Sequence, residues 1–203
     1  QAARNVSRHP YVLCLLRQAY EGLNDWDKLL ELLPQLQKHK QLTNEEFARL
    51  QRQFQLNRVV RSDSDLRLLR ASWQQVPKHL QRDAILVAAY VGNLIKLGDQ
   101  EEAEDALLYA LKQEWSTTLV RQYGYVHSVN ATRQLARAES WLIAHPEDPQ
   151  LLLCLGRLSA REKLWGKARD YFESCYRLER SAEVCAELGR LLTGLGEPNV
   201  AAA

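Results

Sequence analysis

The sequence predicts an all-helical chain of about five or six helix pairs stacked into a right-handed solenoid. Three observations predict it. Apolar residues recur at intervals of three and four along most of the 203 residues, as a helix facing a partner helix requires. A glycine-centred pattern at Gly156 returns 33 residues later at Gly189. No alternating run reads as a strand. The whole chain, 1–203, is therefore read as a single domain of tandem repeats.

The repeat is clearest near 149–180. From Leu152 the chain runs Leu-x2-Leu-Gly-x2-Ser, then Trp165, Ala168, Phe172 and Cys175, which follows the tetratricopeptide pattern of Leu-Gly, then Ala and an aromatic. Glycine inside a helix costs about 0.5–1 kcal/mol relative to alanine, so Gly156 predicts a close approach, assigned to Ala168 on the second helix. Gly189 is expected to do the same in a partial unit near 182–203, with Cys185, Leu188 and Leu192 in its first helix and Ala201 in its second.

Two earlier units share this phase. Near 10–37, Leu13, Leu16 and Tyr20 lie on one face, then Trp26 takes the turn position of Trp165, then Leu29, Leu33 and Leu36 follow. Near 84–115, Val87, Tyr90 and Leu94 precede the turn "LGDQ", then come Ala103, Leu107 and Ala110. Degenerate pairs fill the gaps. Near 43–78, Thr43 or Asn44 caps a helix carrying Phe47, Leu50 and Phe54; Leu66, Leu69, Trp73 and Val76 form the next, which Pro77 ends. Near 116–146, "LVRQYGYVHSVN" breaks the period and predicts a short or irregular helix, and a last helix closes at His145-Pro146.

Composition narrows the function classes. The chain is 46% hydrophobic and 26% charged, with a formal net charge of +2, too small for bulk attraction to nucleic acid or an anionic membrane. Its longest apolar run, Ala84 to Gly92, is far short of the roughly 20 residues of a membrane span. The four cysteines, Cys14, Cys154, Cys175 and Cys185, form no CxxC pair and read as core thiols. The histidines His9, His39, His79, His127 and His145 are dispersed and read as surface or capping residues. Trp26, Trp141 and Trp165 fall at repeat-phased positions and read as core. Phosphate loops, HExxH and nucleophile elbows are absent, so no enzyme is expected and no cofactor or metal is assigned.

What remains is a surface. The first helices of such repeats line a groove, and the repeat phase places Gln150, Leu153, Arg157 and Arg161 there, with Glu183, Ala186 and Arg190 from the next unit. Three guanidinium groups converging on a groove suit a carboxylate; a solvated helix face is the alternative. Further along, Ile85, Ala88 and Gly92 are small or apolar and leave room for a peptide or amphipathic helix.

The segments "HPYVLCLLRQAYEGLNDWDKLLELLPQLQKHK", "LGDQEEAEDALLYALKQEW" and above all "WLIAHPEDPQLLLCLGRLSAREKLWGKARDYFESC" resemble the C-terminal region of the HemY family of bacterial inner-membrane tetratricopeptide proteins. The resemblance spans nearly the whole chain and is most specific in the HP-x-D-P…LGRL…LWGKAR block. It implies two membrane-spanning helices ahead of this region and a non-catalytic role in late protohaem synthesis. Two spans return a chain to the side of its N-terminus, which with the free thiols leans cytoplasmic; a periplasmic position stays open. A scaffold gathering late haem-synthesis enzymes is expected. The alternatives are a porphyrin or haem carrier with propionates on Arg157, Arg161 and Arg190, and a repeat module for an unrelated partner.

Overall fold

The computed structural model describes residues 10–23 and 25–195. Among these, eleven α-helices and one short 3-10 turn, Leu80–Arg82, carry the fold, and no strand occurs. His9 and Ala201 lie outside the described residues. Contacts divide the chain into two compact units, Gln1–Leu80 and Gln81–Ala203.

The first unit holds α1 (Pro10–Leu23), α2 (Trp26–Lys38), α3 (Asn44–Arg61) and α4 (Leu66–Gln74), each packed on the next. Its core gathers Leu13, Leu29, Leu32, Leu33, Leu36, Leu42 and Leu50, with Leu16, Tyr20, Trp26 and Phe47 packed against them. The three-and-four spacing has therefore put the expected faces together. Local signals set the helix starts. Thr43 and Glu46 form a reciprocal capping box, Thr43 Oγ1 accepting from Glu46 N (3.1 Å) and Glu46 Oε2 from Thr43 N (2.9 Å). Across the α3–α4 turn, Arg58 donates to the Ser72 carbonyl (2.6 Å) and to Gln75 Oε1 (2.8 Å).

The second unit holds α5 (Ala84–Lys96), α6 (Gln100–Gln113), α7 (Thr117–Tyr123), α8 (Ala131–Trp141), α9 (Pro149–Arg161), α10 (Trp165–Leu178) and α11 (Ala182–Gly194). Helices α5, α7, α9 and α11 touch in succession, while α6 covers α5 and α10 covers α9. This is the packing of a row of helix pairs. Asp83, Asp99, Asn130, Asp148 and Ser181 cap α5, α6, α8, α9 and α11 with side-chain oxygens on backbone N–H groups. Gly98 takes a positive φ of 86° in the "LGDQ" turn, a conformation glycine reaches without steric cost. The short helix expected within 119–130 is found slightly earlier, as α7 (Thr117–Tyr123).

Helix α9 is buried on every side. All nine residues from Leu151 to Ser159 are buried, because α7, α8, α10 and α11 all pack on it. Gly156 does make a close approach, but its partner is not Ala168. A methyl added there would overlap the ring of Phe172, which lies on the glycine backbone; Ala168 is buried nearby in the same α9–α10 core. Ala103 is likewise fully buried on α6. Gly189 departs from expectation, since nothing lies within 4 Å of where its Cβ would stand. A contact that the sequence did not signal occurs at Gly124, whose Cβ would stand 3.1 Å from Cys154 Cα of α9.

Two further expectations are corrected. Trp165 is 43% exposed rather than core, whereas Trp26 and Trp141 are half-buried; Trp141 packs edge-on against Trp115 (5.7 Å between ring centres), which stacks on His145 (3.7 Å). Of the four free thiols only Cys154 and Cys175 are core. Burial pushes their pKa up to about 12 and about 11, so both are inert thiols. Cys185 is exposed and Cys14 half-buried.

Candidate functional site

The loop after α7 is held by side chains from two other helices. Gln134 of α8, fully buried, donates from Nε2 to the carbonyls of Tyr123 (3.1 Å) and Val126 (3.0 Å). Arg161, in the last turn of α9, donates from Nη1 to the Val126 carbonyl (2.5 Å) and from Nη2 to the Gly124 carbonyl (2.9 Å). Buried carbonyls left without donors would be costly, so these bonds fix an otherwise irregular segment. Among the described residues Arg161 forms no ion pair. Burial, and then the like charge of Arg157, lower its pKa.

Arg157 sits one turn earlier and is only 8% exposed. It is not a free groove cation. Its Nη2 donates to Glu183 (2.5 Å) and its Nε to Glu187 (2.9 Å), both on α11. The ring of Tyr125 lies over the guanidinium, 4.2 Å from centre to Cζ. Glu183 also accepts from the Tyr125 hydroxyl (2.5 Å) and from Arg121 Nη2 (2.7 Å), and Glu187 accepts from Arg190 Nη1 (2.5 Å). Burial draws the Arg157 pKa down, but the bonds to Glu183 and Glu187 outweigh it and leave it raised. Burial pushes Glu183 up, and the bonds from Tyr125 and Arg157 reverse this and hold its carboxyl below the usual range. Charge-assisted pairs in so enclosed a setting orient α11 on α9.

Other expected groove residues divide. Leu153 is fully buried and faces no groove. Gln150 is half-buried and donates to Glu179 (3.2 Å). Ile85 is 50% exposed, while the Ala88 carbonyl accepts from Gln122 Nε2 (3.0 Å) and Gly92 lies beside that amide. Arg190 is exposed, as expected, but carries its ion pair to Glu187.

Two clefts open on this side of the row. The larger, about 700 Å³, runs between Gly92 and Ile95 of α5 and Arg121 and Gln122 of α7. The smaller, about 300 Å³, lies between the α7 loop, α9 and α11, walled by Trp165, Phe172, Arg161 and Arg190. Tyr125 and His127 line both, so they mark the seam. His127 is held by its backbone N–H on Gln100 Oε1 (2.8 Å), and the nearby Arg161 charge, then burial, lower its imidazole pKa. Arg121, Tyr125, His127 and Glu187 were not picked out as groove residues by repeat phase. One signal could have found the α9–α11 pairing: Glu183 and Glu187 stand four apart, on one face of the helix one repeat on from Arg157.

Among the described residues no group of three or more His, Cys, Asp or Glu gathers as a metal site would require. The clefts offer guanidinium groups, a tyrosine, an imidazole and apolar walls. That set can hold a chain segment or an anion in an extended pose.

No family model matches the chain. It is 27% identical over 199 residues to Protein HemY of Escherichia coli strain K12, and equally to Protein HemY of Shigella flexneri, matching 97% of this chain and 50% of each relative. The chain thus spans about half the length of the curated relatives it matches. Its similarity to Protein HemY runs along almost all of its own length, the same family that its repeat wording resembles.

Proposed function

We propose that this chain is a non-catalytic protein-interaction domain of the HemY kind, which seats a segment of a partner on the α5, α7, α9, α11 side of its second unit. The observation that carries the reading is the pair of adjoining clefts, built around a loop that Gln134 and Arg161 hold rigid. A binding surface benefits from such preorganisation because less order has to be imposed on association. The resemblance to HemY supplies the setting: a bacterial inner-membrane protein serving late haem synthesis, with late-pathway enzymes as partners. No described helix is long and apolar enough to cross a membrane, so the anchor in this reading belongs to another part of the protein.

A photo-crosslinking residue placed at Ile85, exposed on α5 about two turns before the cleft-lining Gly92, tests the reading in the full-length protein inside its own bacterium. Tyr109 on α6, 54% exposed, serves as the comparison position. Adducts with enzymes that act on porphyrin or protohaem, formed from Ile85 and not from Tyr109, are expected. Equal adducts from both positions, or none with such an enzyme, would overturn it.

A further inference from the structure

We infer that the two-cleft groove selects an acidic segment, an extended peptide whose carboxylates meet the arginines and whose apolar side chains rest on Tyr125 and Trp165. This deepens the groove reading above and rests on it. The first support is the balance of charge. Four guanidinium groups, Arg121, Arg157, Arg161 and Arg190, line the clefts, and among the lining residues the one carboxylate is Glu187. Counting Glu183, two carboxylates serve Arg121, Arg157 and Arg190, while Arg161 has none among the described residues. The groove keeps an excess of positive charge even with every ion pair formed.

The second support is an orphan donor. Arg157 Nη1 is buried and has no hydrogen-bond acceptor among the described residues, on a side chain more than nine-tenths buried beside the smaller cleft. Buried donors of that kind are rarely left unpaired, and a carboxylate entering the smaller cleft is an acceptor of the kind that Arg157 Nη1 lacks. Third, the cleft on the other side of the unit shows the contrast. It is lined by Glu101, Glu104 and Asp105 against Arg133 and Arg137, so excess positive charge belongs to the groove and not to clefts of this unit in general.

The occupant is a peptide and not a nucleic acid. Tyr125 and Trp165, 42% and 43% exposed, give apolar platforms, but three of the four arginines already share two glutamates, which leaves too few free contacts for a phosphate backbone, where affinity grows with the number of phosphates neutralised. Aromatic and arginine side chains are also the residues that dominate protein interfaces.

The test uses the 203-residue chain and two fluorescein-labelled peptides of about ten residues, roughly 35 Å extended, one alternating glutamate with leucine and the other glutamine with leucine. Anisotropy titrations should give about ten-fold tighter binding of the glutamate peptide, an advantage that narrows between about 50 and 300 mM salt. Arg121→Gln combined with Arg190→Gln should abolish that advantage. Both side chains are exposed, 48% and 69%, so the variant should melt as the parent does, and the paired substitution Arg133→Gln with Arg137→Gln should leave binding unchanged. Equal binding of the two peptides, binding of neither, or tighter binding of a single-stranded oligonucleotide would each overturn the acidic specificity. The Ile85 crosslinks decide separately whether the groove is used at all.

Discussion

At Gly156 an added methyl would run into the Phe172 ring, whereas at Gly189 it would meet nothing within 4 Å. Gly156→Ala should therefore destabilise the chain by about 1–3 kcal/mol through overpacking. Gly189→Ala should stabilise it by about 0.5–1 kcal/mol, since α11 gains a better helix former in open space. Denaturant melts of the two variants read the opposite signs directly. Adding Phe172→Leu should cost less in the Gly156→Ala background than alone, because the two side chains share one space. Glu183 gives the second prediction at this scale. Its folded pKa lies below the ordinary 4.5, so the folded chain binds fewer protons there than the unfolded chain. The stability that it contributes is present above the unfolded value and lost as pH falls through the folded one. Thermal melts from about pH 5 down to pH 3 should fall more steeply for the parent than for Glu183→Gln, and parallel curves would show that the Arg157 and Tyr125 bonds do not favour the ionised form.

Helix α9 shows how an element takes its character from its neighbours. Arg161 reaches from its last turn to the Gly124 and Val126 carbonyls, so Arg161→Gln should release the loop. Amide exchange at 124–127 should accelerate while the middle of α10 stays protected. The same substitution removes the main cause of the lowered His127 pKa, so an NMR titration should find that imidazole moving up towards 6.5. Helix positions were legible in the sequence because caps and spacing are local: Thr43 at the start of α3, Leu13 with Leu16 and Tyr20 on one face of α1. The short α7 was legible only as a break in that spacing, since Ser116 at its start makes no side-chain cap bond. Arg157 was not, because a lone arginine on an apolar stripe looks like the solvent edge of a helix. Its burial depends on α7 and α11 closing over α9, and no residue near it in sequence carries that information. Gly156 was read correctly as a close approach, but the atom that fills the space belongs to Phe172, sixteen positions on.

Over the whole molecule, the chain builds two units, each with a core of its own. Leu13, Leu33 and Leu36 sit in the first; Val87, Leu119, Leu155 and Phe172 are buried in the second. A fragment of residues 81–203 should fold alone, with a helical circular dichroism spectrum and a cooperative melt; a fragment without a cooperative transition would mean that the second core is incomplete by itself. Of the five tryptophans, all within the described residues, Trp165 alone is exposed, and it stands at the wall of the smaller cleft. The protein therefore carries its own optical gauge. Iodide, drawn in by the neighbouring guanidinium charge, should quench the red edge of the emission first, and an occupant seated in the cleft should shield that light and shift it to the blue.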